Sequence, residues 1–151
     1  MSATLGCVGS RASWWPRTLA AALAGALVAL GYAPYNVWIA PVIGVALLAL
    51  VIRAGAGGVP GPEDAARAAG PSPLRRELRR AAGLGFVFGL VMFSMTIAWE
   101  VVVASWLPLL LIPFMSLWTL AAAIGIHLVQ RLPWWPVWAA SVWLLMEFGS
   151  A

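Results

Sequence analysis

Residues 18–52 read TLAAALAGALVALG, then YAPYNVW, then IAPVIGVALLALVI: two apolar runs joined by an aromatic turn, without a single charged side chain. Pro34 biases Ala33 away from the helical region, and Asn36 favours a turn. The pattern therefore predicts two short helices that form a hairpin. One long helix broken at Pro34 is the alternative interpretation of the same residues.

The composition of the whole chain indicates that its solvent is lipid. Hydrophobic residues make up 63% and charged residues 9% of the 151 residues, whereas a soluble domain has roughly 25% charged residues. A soluble fold of this length could not bury so much apolar surface. At about 20 residues per span there is room for roughly four to six spans. We predict an all-α, polytopic transmembrane helical bundle.

The apolar runs divide the chain into four segments. Residues 1–17 form an N-terminal segment, 18–52 the helical hairpin, 53–80 a loop rich in Gly, Pro and Arg, and 81–151 three further spans. The loop lacks the means to pack, apart from its end at residues 74–80, which can form an amphipathic turn beside anionic lipid headgroups.

The arginines predict the orientation in the membrane. The chain has nine arginines and no lysine, and they lie at residues 11 and 17, between 53 and 80, and at 131. With five spans, all nine fall on one side. The positive-inside rule then predicts a multi-pass protein of the plasma or inner membrane, with a cytoplasmic N-terminus and an external C-terminus. We expect the basic charge to reflect this orientation and predict no nucleic-acid partner.

Ionisable groups within apolar runs are costly and therefore candidates for function. Glu100 follows Trp99 where the third run ends, which suggests an interfacial position. His127 lies one turn before Arg131, where a helix end favours a cation. Glu147 lies near the outer end of the fifth run without a cation nearby in sequence. We therefore expect its partner to be supplied from outside this chain.

No residue pattern here points to complete catalytic chemistry. The sequence lacks a nucleophile–base pair, a phosphate-binding loop, paired carboxylates and a His/Cys cluster, and its only thiol is Cys7, at the predicted cytoplasmic end. We predict no catalytic residue, no metal ligand and no cofactor in this chain. Gly85 and Gly89, in the third run, form a small-xxx-small pair that predicts close contact with another helix.

Three motifs, taken in order, resemble the apolipoprotein N-acyltransferase family. The turn GYAPYNVW at 31–38 is similar to the family signature F-(A/S)-P-(F/Y)-(N/D)-x-W. The segment GFVFG at 85–89, followed by Trp99, is similar to its third helix. The segment WLLMEF at 143–148 is similar to W-x-x-x-E-(F/W)-x-R in its fifth helix. The candidate structural and polar site residues are Pro34, Tyr35, Asn36, Trp38, Trp99, Glu100 and Glu147.

The resemblance implies an integral membrane enzyme that moves an acyl chain from a phospholipid to the N-terminal amine of a diacylated lipoprotein. Such enzymes use a Glu-Lys-Cys triad in a nitrilase-like domain that follows the membrane helices. The implied partners are membrane phospholipids, diacylated lipoproteins, and the further helices and catalytic domain that this chain lacks. Where the family has an arginine after the glutamate motif, this chain has Gly149, Ser150 and Ala151. We expect a fragment or a truncated gene product, inactive by itself.

A second hypothesis comes from a different class of protein. A small multi-span accessory or transporter subunit, acting by helix packing against its partners, would share the composition and the spans. The motifs at 31–38 and 143–148 favour the acyltransferase, and the lack of a catalytic triad keeps the alternative open.

Overall fold

The structure is a computed structural model that describes residues 14–32, 34–56, 73–98, 102 and 105–150. These residues form α-helices connected by turns, without a strand, as the sequence predicts. The five helices are α1 (Trp15–Ala29), α2 (Ala40–Ala56), α3 (Pro73–Ile97), α4 (Leu107–Val129) and α5 (Trp135–Ser150).

The third helix begins earlier than the hydropathy of the sequence indicates. It starts at Pro73 and runs without interruption through the arginine-rich segment into the apolar run that begins at Ala81. Proline is well suited to the first helical position, and residues 74–82 are all good helix formers. The amphipathic turn and the apolar run are therefore one helix, with Arg75, Arg79 and Arg80 exposed at its start.

Two of the helices are long and apolar enough to cross a bilayer. They cover Leu74–Ile97 and Leu107–Val129, with 24 and 23 residues. The helices α1, α2 and α5 have 15, 17 and 16 residues, fewer than the roughly 20 that a perpendicular span needs. The bundle therefore combines a long central pair with three shorter helices.

Polar contacts between helices gather at one end of the bundle. The Arg17 guanidinium donates a hydrogen bond to the Ala54 carbonyl oxygen (3.3 Å), which joins the start of α1 to the end of α2. The Glu77 carboxylate lies 3.4 Å from His127 Nε2 and 3.5 Å from an Arg131 guanidinium nitrogen. These contacts join the start of α3 to the end of α4.

Two further contacts lie at the same end, the first between the end of α4 and α2 and the second between α2 and the start of α5. The Gln130 side-chain amide donates to the Ala49 carbonyl oxygen (2.8 Å), and the Arg53 guanidinium carbon lies 4.8 Å from the centroid of the Trp135 ring. Consecutive helices therefore alternate in direction. We call this end, which is marked by Arg17, Arg53, Glu77 and Arg131, the basic end, and the opposite end, which contains the turn between α1 and α2, the turn end.

The most extensive helix contact in the described residues joins α3 and α4. A Cβ atom added at Gly85 would lie 2.8 Å from the Thr119 carbonyl oxygen, and one at Gly89 would collide with the Thr119 hydroxyl. The Thr119 hydroxyl also donates to the Gly85 carbonyl oxygen (3.1 Å). The close contact predicted from the two glycines is thus confirmed. We call this contact the glycine seam.

Candidate functional site at the turn end of the bundle

The turn between α1 and α2 is closed by its own backbone. The Val37 N–H donates to the Leu30 carbonyl oxygen (3.0 Å), and the Asn36 N–H donates to the Tyr32 carbonyl oxygen (3.2 Å). Asn36 has a φ of 51°, a left-handed conformation that asparagine tolerates better than most residues. Gly31 lies against the Pro41 ring, where a side chain would collide. These residue types explain how so few residues reverse the chain.

The predicted site residues of the turn point outward. Trp38 is 80% exposed and Tyr35 is 60% exposed, and Pro34 and Asn36 are also exposed. Amphipathic aromatic rings of this kind are enriched where a membrane meets water. The structure therefore gives these four residues a surface position, and their role in function stays a prediction.

Glu147 has a partner within this chain, so the expectation of an external partner is wrong. The Tyr32 hydroxyl donates a hydrogen bond of 2.9 Å to Glu147 Oε1, across 115 positions of sequence. The turn places Tyr32 at the end of α1, and α5 runs toward that same end. The contact depends on the packing of the hairpin against the last helix, which local sequence does not reveal.

The surroundings of Tyr32 favour its neutral form. Burial, the hydrogen bond to Glu147 and the negative charge of that carboxylate raise the pKa of Tyr32 to about 12. Each of these causes disfavours a phenolate, because a second negative charge would be partly buried beside the first. Tyr32 therefore remains a hydrogen-bond donor throughout the physiological pH range.

One turn before Glu147, Trp143 fixes the position of the last helix. Trp143 is buried, and its ring meets that of Phe88 edge to face, with centroids 5.6 Å apart and an interplanar angle of 89°. Residues four apart lie on the same helical face. The spacing W-x-x-x-E thus places both side chains on one face of α5. Trp143 packs in the core of the bundle, and Glu147 lies one helical turn nearer the α1–α2 turn.

The three motifs identified in the sequence meet in space. Tyr32 from the first motif contacts Glu147 from the third, and Phe88 from the second contacts Trp143 from the third. Trp99 and Glu100, the remaining candidates, lie outside the described residues. Tyr32, Phe88, Trp143 and Glu147 therefore link the turn after α1, α3 and α5 through two pairs of contacts.

A long apolar groove extends from this site along the outside of the bundle. Its volume is about 540 Å³, and in the described part of the chain every lining residue belongs to α2 or α5. Glu147 lies at one end, near Pro41, and Trp135 at the other, near Leu50. The groove therefore runs from the turn end toward the basic end.

The chemistry of this site is that of binding and positioning. A carboxylate and a neutral phenol provide a hydrogen-bonded pair at the mouth of an apolar groove. Among the described residues there is no group of three His, Cys, Asp or Glu side chains that could hold a metal ion. Cys7 lies outside the described residues, and the sequence contains no lysine.

Three residues that the structure brings into polar or aromatic contacts were not among the predicted site residues. Tyr32 and Phe88 lay within the quoted motifs, and the position of Tyr32 beside a helix-ending turn was a usable signal for a polar role. Glu77 was not considered, although a lone acid among arginines at a helix start is a candidate partner for a cation on a neighbouring helix. Its pairing with His127 and Arg131 required the order of the helices in space.

An all-α bundle with two helices able to cross a bilayer, in a chain of this hydrophobicity, is a helical membrane protein. The family model for the apolipoprotein N-acyltransferase N-terminal domain matches residues 24–150. The chain therefore belongs to the apolipoprotein N-acyltransferase family. A search of curated proteins and a search of solved structures found no match.

Proposed function

We propose that this chain is the membrane-embedded portion of an apolipoprotein N-acyltransferase, the enzyme that transfers an acyl chain from a phospholipid to the N-terminal amine of a diacylated lipoprotein. The observation that carries the proposal is the family match over residues 24–150. The convergence of the three family-like motifs at Tyr32, Phe88 and Glu147 supports it.

In this proposal the bundle positions substrate and catalytic domain and does not perform the chemistry. Acyl transfer through a thioester needs a reactive thiolate with a neighbouring base. Cys7 is the only thiol of the chain, and it precedes α1, whose first residues lie at the basic end. We therefore expect no acyl transfer by this chain alone.

We further propose five membrane spans in the bacterial inner membrane, with the basic end in the cytoplasm. The interhelical contacts at the basic end support this orientation, because Arg17, Arg53 and Arg131 lie there together. The short helices α1, α2 and α5 cross by way of local thinning of the bilayer, which costs a fraction of a kcal/mol per Å of mismatch. Reporter fusions after Gly58 and after Ser150 should report opposite sides, and the same side for both would contradict five spans.

A chimera tests the function directly. Residues 14–150 replace the matching N-terminal domain of a complete family member, and the product is incubated with phospholipid and a diacylated lipopeptide. We expect the mass of the lipopeptide to rise by one acyl chain with the chimera and to stay unchanged with the chain alone. Acylation by the chain alone, lost on Cys7→Ser, would refute the proposal that chemistry resides elsewhere.

A matched pair of variants examines the site within the chimera. Glu147→Gln removes the charge that Tyr32 contacts, whereas Arg79→Gln removes an exposed charge at the basic end of the bundle. We expect the first to lower acyl transfer and the second to leave it unchanged. Equal rates of acyl transfer for the two variants would show that the Tyr32–Glu147 pair is not needed for acyl transfer.

A further inference from the structure

We propose that the groove between α2 and α5 is the binding site of a tightly bound phospholipid. Its phosphate lies at Arg53, and one of its acyl chains lies along the groove. This lipid binds as a structural ligand with its headgroup at the basic end, and it is not the acyl donor. The proposal does not depend on the acyltransferase activity.

Two contacts that the structure describes lie near the two ends of the groove. The Arg53 guanidinium stacks on Trp135 at one end. At the other end Tyr32, in the turn that leads into α2, binds Glu147 on α5. Between these links α2 and α5 are not among the helix pairs that make extensive contact in the described residues. An empty apolar gap forfeits dispersion contacts on both walls, so in a bilayer it fills with hydrocarbon.

The walls match an acyl chain in chemistry and length. Apart from Glu147, the lining side chains are aliphatic, aromatic or proline. Pro41–Leu50 covers about 14 Å of α2 at a rise of 1.5 Å per residue. This length is close to half the roughly 30 Å hydrocarbon core of a bilayer, which is the depth of one leaflet.

The charges at the two ends determine which way the lipid lies. A phosphate is attracted by the Arg53 guanidinium, which is exposed at the end of α2, and is repelled by the Glu147 carboxylate at the other end. The indole rings of Trp135 and Trp138 lie at the Arg53 end, where such rings favour the headgroup level. The headgroup therefore lies at the basic end and the acyl chain extends toward Glu147.

Photolabelling in a defined bilayer tests this assignment. The chain is placed in nanodiscs made of equal parts phosphatidylethanolamine and phosphatidylglycerol, with a trace of phosphatidylglycerol that carries a diazirine in one acyl chain. After illumination, labelled peptides are mapped by mass spectrometry. We expect label concentrated on residues 41–50 and 135–147. Label spread evenly around the bundle, or a crosslink between two copies of the chain at this groove, would overturn the proposal.

Variants of the residues that line the groove test whether the acyl chain of the lipid binds there. Ala140→Trp fills the groove from α5, and Ala121→Trp adds the same side chain at an exposed position of α4 outside it. We expect the first to abolish most of the label and the second to preserve it. If circular dichroism shows that Ala140→Trp does not fold, Ala46→Trp fills the groove from α2. Unchanged labelling in a folded groove variant would overturn the proposal.

The headgroup is tested with Arg53 and with a lipid that lacks phosphate. Arg53→Gln should lower labelling by phosphatidylglycerol about fivefold, the usual contribution of one cation near an anionic headgroup. Arg79→Gln, which changes an exposed arginine on α3, should leave it unchanged. A diazirine-bearing diacylglycerol should label weakly and should not respond to Arg53→Gln. Equal labelling by both lipids would overturn the assignment of the phosphate to Arg53.

Discussion

The glycine seam and the α2–α5 groove both contain small residues, yet the helices meet at the seam and stay apart at the groove. At the seam, Gly85 and Gly89 let the backbones of α3 and α4 meet, and the Thr119 hydroxyl bonds across the contact. Ala46 and Ala140 face the groove, which remains open between the contacts near its two ends.

The comparison shows what small residues do in a membrane bundle. They permit close approach, because in lipid the attraction between helices comes from packing rather than from the hydrophobic effect. Whether two helices with small residues pack closely also depends on the other contacts between them. At the groove, the Arg53–Trp135 stack and the Tyr32–Glu147 hydrogen bond lie near the two ends.

The largest effect is expected at the glycine seam. Gly89→Leu drives a side chain into the Thr119 hydroxyl and the backbone of Ser116, and overpacking of this kind typically costs about 3 kcal/mol of unfolding free energy. Gly83→Leu is the matched control, because nothing lies within 4 Å of the added Cβ atom. Unfolding in mixed detergent, followed by circular dichroism, measures both. An equal loss at residue 83 would mean that the seam is not the closest contact.

The next effect concerns the link at the turn end. Glu147→Gln and Tyr32→Phe should each lower the unfolding free energy by roughly 1.5 kcal/mol, since a hydrogen bond to a charged group contributes about 1.5–3 kcal/mol. The double variant should lose no more than the larger single loss, because the two residues share one interaction. Tyr35→Phe, at an exposed tyrosine, serves as the control. Strict additivity of the two losses would show that Tyr32 and Glu147 do not stabilise each other.

A titration of the same link sharpens this result. The chain has two tyrosines, so Tyr35→Phe leaves Tyr32 as the only phenol, whose ionisation is followed by absorbance near 295 nm. We expect a pKa of about 12, and a lower value on Glu147→Gln, which removes the negative charge beside the phenol. Because folding raises this pKa from 10.0, its contribution to stability is complete below pH 10 and is lost as the pH rises toward 12. Ionisation near pH 10 would mean that neither burial nor Glu147 affects the Tyr32 phenol.

The smallest effect is expected at the basic end. Arg53→Gln removes the stack on Trp135, and an exposed cation–π contact contributes about 0.5–1 kcal/mol. Arg75→Gln, at an exposed arginine of α3, is the control. A double-mutant cycle with Trp135→Leu isolates the pair by chemical unfolding in detergent. A coupling energy of zero would show that Arg53 and Trp135 do not stabilise each other.

Much of the fold could be predicted because its causes are local. The excess of apolar residues requires lipid as the solvent and helices as the structure, since every backbone group must be satisfied within its own segment. Pro34 and Asn36 end one helix and reverse the chain whatever packs nearby. Gly85 and Gly89 predicted a close contact between helices, because a residue without a side chain lets two backbones approach and is visible in the sequence.

The partner of Glu147 could not be predicted in the same way. Tyr32 lies 115 positions away, and the contact depends on the rotation of α5, which the Trp143–Phe88 packing fixes. The start of α3 at Pro73 was not predicted either. Hydropathy indicates which residues lie in lipid, and a helix can begin before its first apolar residue. The sequence by itself determined an apolar, all-α chain with a hairpin at its start, through composition and turn chemistry. Only tertiary structure decided which side chains meet and where a groove remains, because these depend on the rotation and spacing of whole helices.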